Sequence, residues 1–398
     1  MNNSMQVRMM TAFPERGMDE DEVLGELERL LNDDLTFDSG KILGSMCTYP
    51  HPLARKVICL YMDRNLGDPG LHVGSRKIEE EAVQMLGDLL HLNRAYGNIV
   101  SGGTEANILA VRAFRNIADV ENPELILPES AHFSFLKAGE MLKVKLVWAE
   151  LNEDYSVNVK DVENKITDNT VGIVGIAGTT GLGVVDDIPA LSDLAQDYGL
   201  PLHVDAAFGG FVIPFAKALG YDLPDFDFRL KGVQSITIDP HKMGMAPIPA
   251  GGIIFRKKKF IEVISVPAPY LAGGQIFQAT ITGTRPGANA IAVWALLKHL
   301  GFEGYKKIVK EAMELSRWFA KQIKALEGAY LIREPMLNIV SFGTKELERV
   351  EKELKKRGWG VSAHRGYIRI VMMPHVKREH LEKFLEDLRE VTVHSIKL

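Results

Sequence analysis

Seven short apolar, β-branched runs recur between residues 98 and 256, and helical patterns fill many of the gaps between them. The runs are Asn98–Ser101, Leu125–Pro128, Val144–Ala149, Val171–Ala177, Leu202–Asp205, Ser235–Ile238 and Gly252–Arg256. They are apolar throughout and do not alternate, which suits strands buried on both faces of a mostly parallel sheet. Interleaved helical patterns at Glu105–Val120, Phe133–Leu142 and Ile188–Tyr198 make this an α/β architecture. Upstream, 19–35 reads as an amphipathic helix with an acidic first turn, 36–56 as an irregular arm, and Glu79–Leu92 as a helix. After Pro286 the pattern changes. Two long helices (Ala288–Leu300, Tyr305–Leu326) lead into Asn338–Phe342, Glu346–Arg357, Tyr367–Met373 and Glu379–Val391, a strand–helix–strand–helix tail. The expected division is an N-terminal helix and arm (1–50), a large unit (51–300) and a smaller C-terminal α+β unit (301–398).

With 398 residues, 46% hydrophobic and 25% charged, the chain has the balance of a soluble globular protein. A net charge of −5 gives no reason to expect nucleic acid or an anionic membrane. Two cysteines, Cys47 and Cys59, suggest a reducing compartment rather than a disulfide framework. Residues 1–8 lack the apolar core of a signal peptide. No uncharged apolar run reaches the roughly 18–20 residues that span a bilayer. A cytoplasmic enzyme is the expectation.

Two residues carry the chemistry. Lys242 lies in Ser-Ile-Thr-Ile-Asp-Pro-His-Lys-Met-Gly (235–244), and Asp205 ends Leu-Pro-Leu-His-Val-Asp (200–205). A lysine just past a buried strand is poorly hydrated, and such an amine can condense with an aldehyde. An acid past a neighbouring strand can face a cationic ring nitrogen. Pyridoxal 5′-phosphate (PLP) needs both. Most lysines near strand ends are solvated surface groups, so the pair needs company.

Ser101-Gly-Gly-Thr-Glu-Ala-Asn107 follows a strand and opens a helix, so Gly103 and Thr104 can cradle a phosphate at a helix N-terminus. The same run also reads as a capped helix after a turn. Thr280-Ile-Thr-Gly-Thr-Arg-Pro-Gly287 is a second small, hydroxyl-rich turn, or a plain linker. His132, past a strand, can stack on a ring or move a proton. Thr179 and Thr180 end another strand, and one hydroxyl can reach a phenolic oxygen. Ala206 and Ala207 are small enough to pack on a ring face. His241 can contact phosphate. His203 and Asp205 share a face of one strand as a metal pair would, but no third ligand lies nearby. Ser235, Asp239, Asp186 and Asp187 read as caps.

Several motifs in one order resemble the PLP-dependent group II amino-acid decarboxylases, and most closely the archaeal tyrosine/aspartate decarboxylase family. They are His-Val-Asp-Ala-Ala-Phe-Gly-Gly (203–210), Ser-Ile-Thr-Ile-Asp-Pro-His-Lys (235–242), Ser-Gly-Gly-Thr-Glu-Ala-Asn (101–107), Gly-Ser-Met-Cys-Thr-Tyr-Pro-His-Pro (44–52), 281–287 and 369–375. The likeness covers nearly the whole chain. It implies the PLP fold type I architecture: a large domain with a seven-stranded, mainly parallel sheet, and a small C-terminal α+β domain. It carries the cofactor lysine to Lys242, the ring acid to Asp205, the stacking group to His132 and the cup to Gly103 and Thr104. It further implies a homodimer in which Gly283 and Thr284 reach the other subunit's phosphate. Arg369 would hold the substrate carboxylate, Tyr270 on a loop would protonate the product, and His51 and Tyr49 would line the substrate pocket. The implied reaction is α-decarboxylation of L-aspartate to β-alanine with release of CO2, with L-glutamate and L-tyrosine left open. In the family β-alanine feeds coenzyme A. A sphingosine-phosphate-type lyase is the rival, through Asp-Phe-Arg-Leu-Lys-Gly-Val (227–233), though that lyase is expected to read Thr-His-Lys where this chain has Pro-His-Lys. A fold type I aminotransferase is the other rival. A cysteine desulfurase would need a late cysteine, and none follows Cys59.

Overall fold

The computed structural model describes residues 13–274, 276–361 and 363–393. The reading of residues 1–8 lies outside the described residues. The first element, α1 (Glu20–Leu31), begins at a capping box in which Asp19 and Glu22 satisfy each other's backbone N–H groups. None of its residues is buried. The arm that follows is less irregular than expected, because α2 (Pro52–Tyr61) starts inside it. Pro52 at the first turn and His51 as N-cap set that start. Helix α3 (Val73–Leu89) leads into the large sheet.

That sheet has seven strands: β1 (Tyr96–Val100), β2 (Glu124–Pro128), β3 (Lys145–Ala149), β4 (Thr170–Ile176), β5 (Leu202–Asp205), β6 (Val233–Ile238) and β7 (Gly251–Phe255), in the order β1-β7-β6-β5-β4-β2-β3. β7 runs antiparallel to both its neighbours, and the remaining pairs are parallel. The architecture is therefore the expected α/β, with a seven-stranded, mostly parallel sheet. Every residue of β2, β4, β5 and β7 is buried, as two covered faces require. Each fully buried Val, Leu, Ile or Phe contributes roughly 1.5–3 kcal/mol, so these short strands hold the centre of the core.

Helices α4 (Gly103–Ala118), α5 (Ser134–Leu142) and α7 (Ile188–Asp197) pack on the sheet, with the short α6 (Val159–Asn164) beside α7. Six strands point the same way, so their carboxyl ends form one edge. The crevice outside that edge is where open α/β sheets bind ligands.

The expected pair of helices after Pro286 is present: the stretch Gly287–Lys324 is two helices that meet at a kink at Gly301, whose φ of 56° and ψ of −171° are not helical. A glycine takes that left-handed φ without a Cβ clash. A four-stranded antiparallel sheet follows, in which Ile339–Thr344 pairs with Ala329–Leu331 on one side and Tyr367–Val371 on the other, with Ala363–His364 at the edge. Leu347–Lys356 and Arg378–Val393 are its helices. A two-stranded hairpin, Val266–Ala268 with Ile276–Gln278, joins the two sheets in sequence and had not been expected.

Candidate active site

The loops at the sheet's carboxyl edge enclose a cavity of about 300 Å³ lined by Ser101, Gly102, Gly103, Thr104, Asn107, Ser130, His132, Thr180, Asp205, Ala207, Asp239, His241 and Lys242, among others. Each arrives from a strand end: 101–104 after β1, 130–132 after β2, 180 after β4, 205–207 from β5 and 239–242 after β6. The sequence-expected residues Lys242, Asp205, His132, Gly103, Thr104, Ala207 and His241 thus meet in one place.

The acid end is rigid. Asp205 Oδ1 accepts from the Ala207 N–H at 3.0 Å, and Oδ2 accepts from Asn107 Nδ2 at 2.9 Å. The lysine end is a tight turn in which the Lys242 N–H donates to the Asp239 carbonyl and the Met245 N–H to the Lys242 carbonyl, each at 3.1 Å. This turn puts Lys242 Nζ 3.1 Å from Asp239 Oδ2. Asp239 is therefore more than the local cap that its position suggested. The signal was legible: a side chain three residues before another, across a turn, faces it. Between the two ends lies the N-terminus of α4, whose first N–H groups have no intrahelical partner. A Cβ on Gly103 would stand 2.9 Å from Asp239 Oδ2 and 3.2 Å from Ala207 Cβ, so only glycine leaves this cup open. His132 Nδ1 accepts from the Ser134 N–H at 3.2 Å, which holds the ring at the cavity wall.

Burial governs the titration of the histidines. It lowers His132 below its ordinary value, with Asp205 opposing and Lys242 adding to the fall. It lowers His241 as well, against the pull of Asp239. Both are thus biased toward neutral imidazole. Cys47, on the arm, feels the same charges: burial raises its thiol, and Lys242 opposes this.

Other expectations fall outside the cavity. Thr179 lies outside the cavity: its Oγ1 accepts from the Val184 N–H at 3.0 Å inside the turn, while Thr180 lines the cavity. Tyr270 is 86% exposed and stands apart from it. Gly283 and Thr284 are exposed; Gly283 borders a different cleft of about 1210 Å³ between α3 and the 273–285 segment. That cleft is larger, but Lys242, Asp205 and His132 are absent from its lining. Arg285 pairs with Glu79 and donates to the Ile99 carbonyl, so its side chain anchors this segment. His51 caps α2 and packs its ring 5.3 Å from that of His299. The Tyr49 hydroxyl accepts from Arg55. Neither His51 nor Tyr49 lines the cavity. Arg369 makes no salt bridge there; it donates to the carbonyls of Thr180 (2.7 Å) and Gly44 (2.5 Å), tying the small sheet and the arm to the cavity rim. His203, weighed as a metal ligand, spends both nitrogens on Ser235 and Asn107.

Comparison with known proteins fits this geometry. A family model described as the pyridoxal-dependent decarboxylase conserved domain matches residues 6–345. The chain belongs to the pyridoxal-dependent decarboxylases. Similar members include the L-aspartate decarboxylase of Thermococcus kodakarensis, 80% identical over 95% of this chain and 99% of that one. The L-aspartate/L-glutamate decarboxylase of Pyrococcus horikoshii is 75% identical over 95% and 99%. The probable L-tyrosine/L-aspartate decarboxylase of Methanothermobacter thermautotrophicus is 49% identical over 91% and 100%. Among solved structures, the sphingosine-1-phosphate lyase of Burkholderia pseudomallei superposes with a TM-score of 0.89 at 30% identity, covering 96% of this chain and 92% of its own. The glutamate decarboxylase of Lactobacillus brevis, at 23% identity and a TM-score of 0.88 (96% and 94% covered), shares the fold.

The cofactor of this decarboxylase family is PLP, and the cavity suits it. Ser130 Oγ and Asp239 Oδ1 are buried without a hydrogen-bond partner among the described residues, and both residues line the cavity. Buried polar atoms are normally satisfied, so these two await a polar ligand or water. An open helix N-terminus, a lysine and a carboxylate on one wall match the phosphate, aldehyde and ring nitrogen.

Proposed function

We propose that the chain decarboxylates free L-aspartate at Cα, giving β-alanine and CO2. The observation that carries this is Lys242 and Asp205 lining one cavity with the open N-terminus of α4 between them, in a chain 80% identical to an L-aspartate decarboxylase. When bound, PLP supplies an aldehyde that takes up an amine and a cationic ring that accepts the electron pair left as CO2 departs.

The chain's own residues do the rest. Gly103, Thr104 and His241 would hold the phosphate. Lys242 would hold the cofactor's aldehyde, and Asp239, 3.1 Å from Lys242 Nζ, is placed to pair with the ammonium when that lysine is free. Asp205 is the acid for the ring nitrogen. His132 and Ala207 line the cavity where they would pack against the ring, and neutral His132 can carry a proton to Cα. Arg369, half-buried at the rim, takes the substrate carboxylate with the guanidinium donors left over from its two carbonyls. His51 and Tyr49 border the substrate's path. Thr180, rather than Thr179, offers the hydroxyl for the phenolic oxygen.

A homodimer belongs to the same proposal. Val23, Leu24, Leu27, Leu30 and Leu31 form an exposed apolar stripe on α1, and Tyr270, Phe277 and Ile281 are exposed near Gly283 and Thr284. A second copy would cover them and bring Tyr270, Gly283 and Thr284 to its neighbour's site. The division at residue 300 rests on the two separate sheets, which lie either side of the kink at Gly301, and that at residue 50 on the start of α2 at Pro52. A cytoplasmic location rests on two free cysteines; no helix among the described residues is long and apolar enough to cross a membrane.

The test is a panel of free L-aspartate, L-glutamate and L-tyrosine with purified protein and PLP. We expect β-alanine and CO2 from aspartate at the highest kcat/KM. L-Glutamate is the second reading, because the Pyrococcus relative carries both names. Aldehyde release from a phosphorylated amino alcohol, or consumption of a 2-oxo acid, would move the assignment to a lyase or an aminotransferase.

A further inference from the structure

Behind Asp205 lies a buried layer that the reaction scheme above does not use. Asn107, on α4, donates from Nδ2 to Asp205 Oδ2 (2.9 Å) and to Ser134 Oγ (3.0 Å). A carboxylate can only accept, so this end of the amide must be the nitrogen. Its oxygen, Oδ1, then takes the Thr237 hydroxyl at 2.7 Å and His203 Nε2 at 3.0 Å. An oxygen accepts, so His203 carries its proton on Nε2. Its Nδ1, 2.8 Å from Ser235 Oγ, accepts that hydroxyl's proton. Every donor and acceptor in the layer has one consistent direction. All five side chains, Asn107, Ser134, His203, Ser235 and Thr237, are at least nine-tenths buried. The register of β5 against β6 builds the layer, since it sets Asp205 opposite Thr237 and His203 opposite Ser235.

We propose that Asn107 is a positioning residue for Asp205: its amide, itself locked by Thr237 and neutral His203, fixes the direction in which the carboxylate meets the cofactor's ring nitrogen. The inference rests on the reading of Asp205 as the ring acid. Without Asn107, Asp205 would keep only the Ala207 N–H as an anchor and could turn about its side-chain torsions toward Ser134. Burial supports the neutral tautomer independently, holding the His203 imidazole down to about 4. From the sequence alone, Asn107 in the helix's first turn has only local partners on offer. Its partners are instead 27 to 130 residues away, a closeness that only the folded sheet creates.

The test uses holoenzyme reconstituted with ring-15N PLP. Three readouts apply: the ring-nitrogen resonance, the rate of cofactor release on dilution, and kcat and KM at saturating PLP. Asn107→Leu removes donor and acceptor at similar volume; Asn107→Ser keeps one short donor; Thr237→Val removes the lock on the amide. We expect Asn107→Leu to move the ring resonance toward the neutral position. It should also speed cofactor release about ten-fold and lower kcat about ten-fold with KM within about two-fold. Asn107→Ser should recover part of each, and Thr237→Val should shift all three the same way by less. If Asn107→Leu does not fold, the serine and valine variants carry the test. A parent-like resonance and release rate in the folded variants would overturn the proposal, even with a lowered melting temperature. Asp205→Ala is run alongside. If it too leaves the resonance unchanged, the reading of Asp205 is wrong; if it alone moves the resonance, only the role of Asn107 fails.

Discussion

Two regions of this molecule present apolar and polar groups in opposite ways. At the carboxyl edge of the large sheet, nearly every group is answered from within the chain: Asp205 by Asn107 and Ala207, His203 by Ser235, Lys242 by Asp239. On α1 and on the hairpin segment, apolar side chains face solvent, and α1 buries nothing. Solitary exposed apolar residues are ordinary, but a stripe along one helix is a surface that fits a partner. The first region is largely answered on folding, with Ser130 Oγ and Asp239 Oδ1 left over among the described residues. The second offers a surface on which association can be tested.

The sharpest way to break this contrast is Lys242→Ala. If the inner region holds the chemistry, turnover should fall by roughly a thousand-fold or more, the scale seen when a covalent group is lost. Borohydride treatment should fix the cofactor to the parent and not to the variant. Decarboxylation that survives would take the active centre elsewhere.

His203 tests how complete the inner region is. Its folded value of about 4 lies below the ordinary 6.5, so between these values the unfolded chain binds a proton that the folded one does not. Stability therefore rises with pH across this window and falls as pH drops from about 6.5 to about 4. The full effect is about 3 kcal/mol. Buried Asp186, pushed up to about 7, titrates nearby with the opposite sign, so only a difference is informative. Denaturant unfolding of His203→Gln and parent at pH 7 and pH 4.5 should show the variant gaining on the parent at the acid end. Parallel curves would mean that His203 is protonated in its layer and that the hydrogen-bond directions are different.

The strands could be read from the chain because each is an unbroken apolar run with a turn at its end, and burial on both faces leaves such a run no other place. Lys242, Asp205, His132 and the Ser101–Asn107 turn were legible because each follows a strand, and strand ends share an edge. What could not be read was direction and closeness. Nothing local tells whether Thr179 or Thr180 points inward; the turn closed by Thr179 Oγ1 and the Val184 N–H decides it. Helix α2 was missed because its proline marks a start only when a cap precedes it. Tyr270 had been given a role at the site through family likeness, yet in a single chain it lies in solvent, since what would cover it is on no strand of this sheet.

Gly103→Ala gives a smaller effect confined to the cup. The new Cβ would crowd Asp239 Oδ2 and Ala207 but meet the buried Thr237 methyl only at an ordinary contact distance of 3.5 Å, and alanine suits a helix's first turn. PLP affinity should drop about ten- to one hundred-fold by titration, while the melting temperature of the cofactor-free protein stays near the parent's. An unchanged affinity would mean that the phosphate sits elsewhere.

The smallest effect on the chain itself is expected at α1, and it sharpens the contrast most. Replacing Leu24 and Leu27 together with Glu alters side chains that are about half exposed. The stability of an isolated chain should therefore stay within about 0.5 kcal/mol of the parent. If a second copy covers the stripe, two carboxylates must be desolvated on each side, and association should fail. Sedimentation should then give twice the chain mass for the parent and the chain mass for the variant, and the parent's melting temperature alone should rise with concentration. Two copies in both proteins would move the contact surface off α1. One copy in both would mean that the exposed stripe has a different partner and that each site works with the residues of its own chain, leaving Tyr270, Gly283 and Thr284 without a part in it.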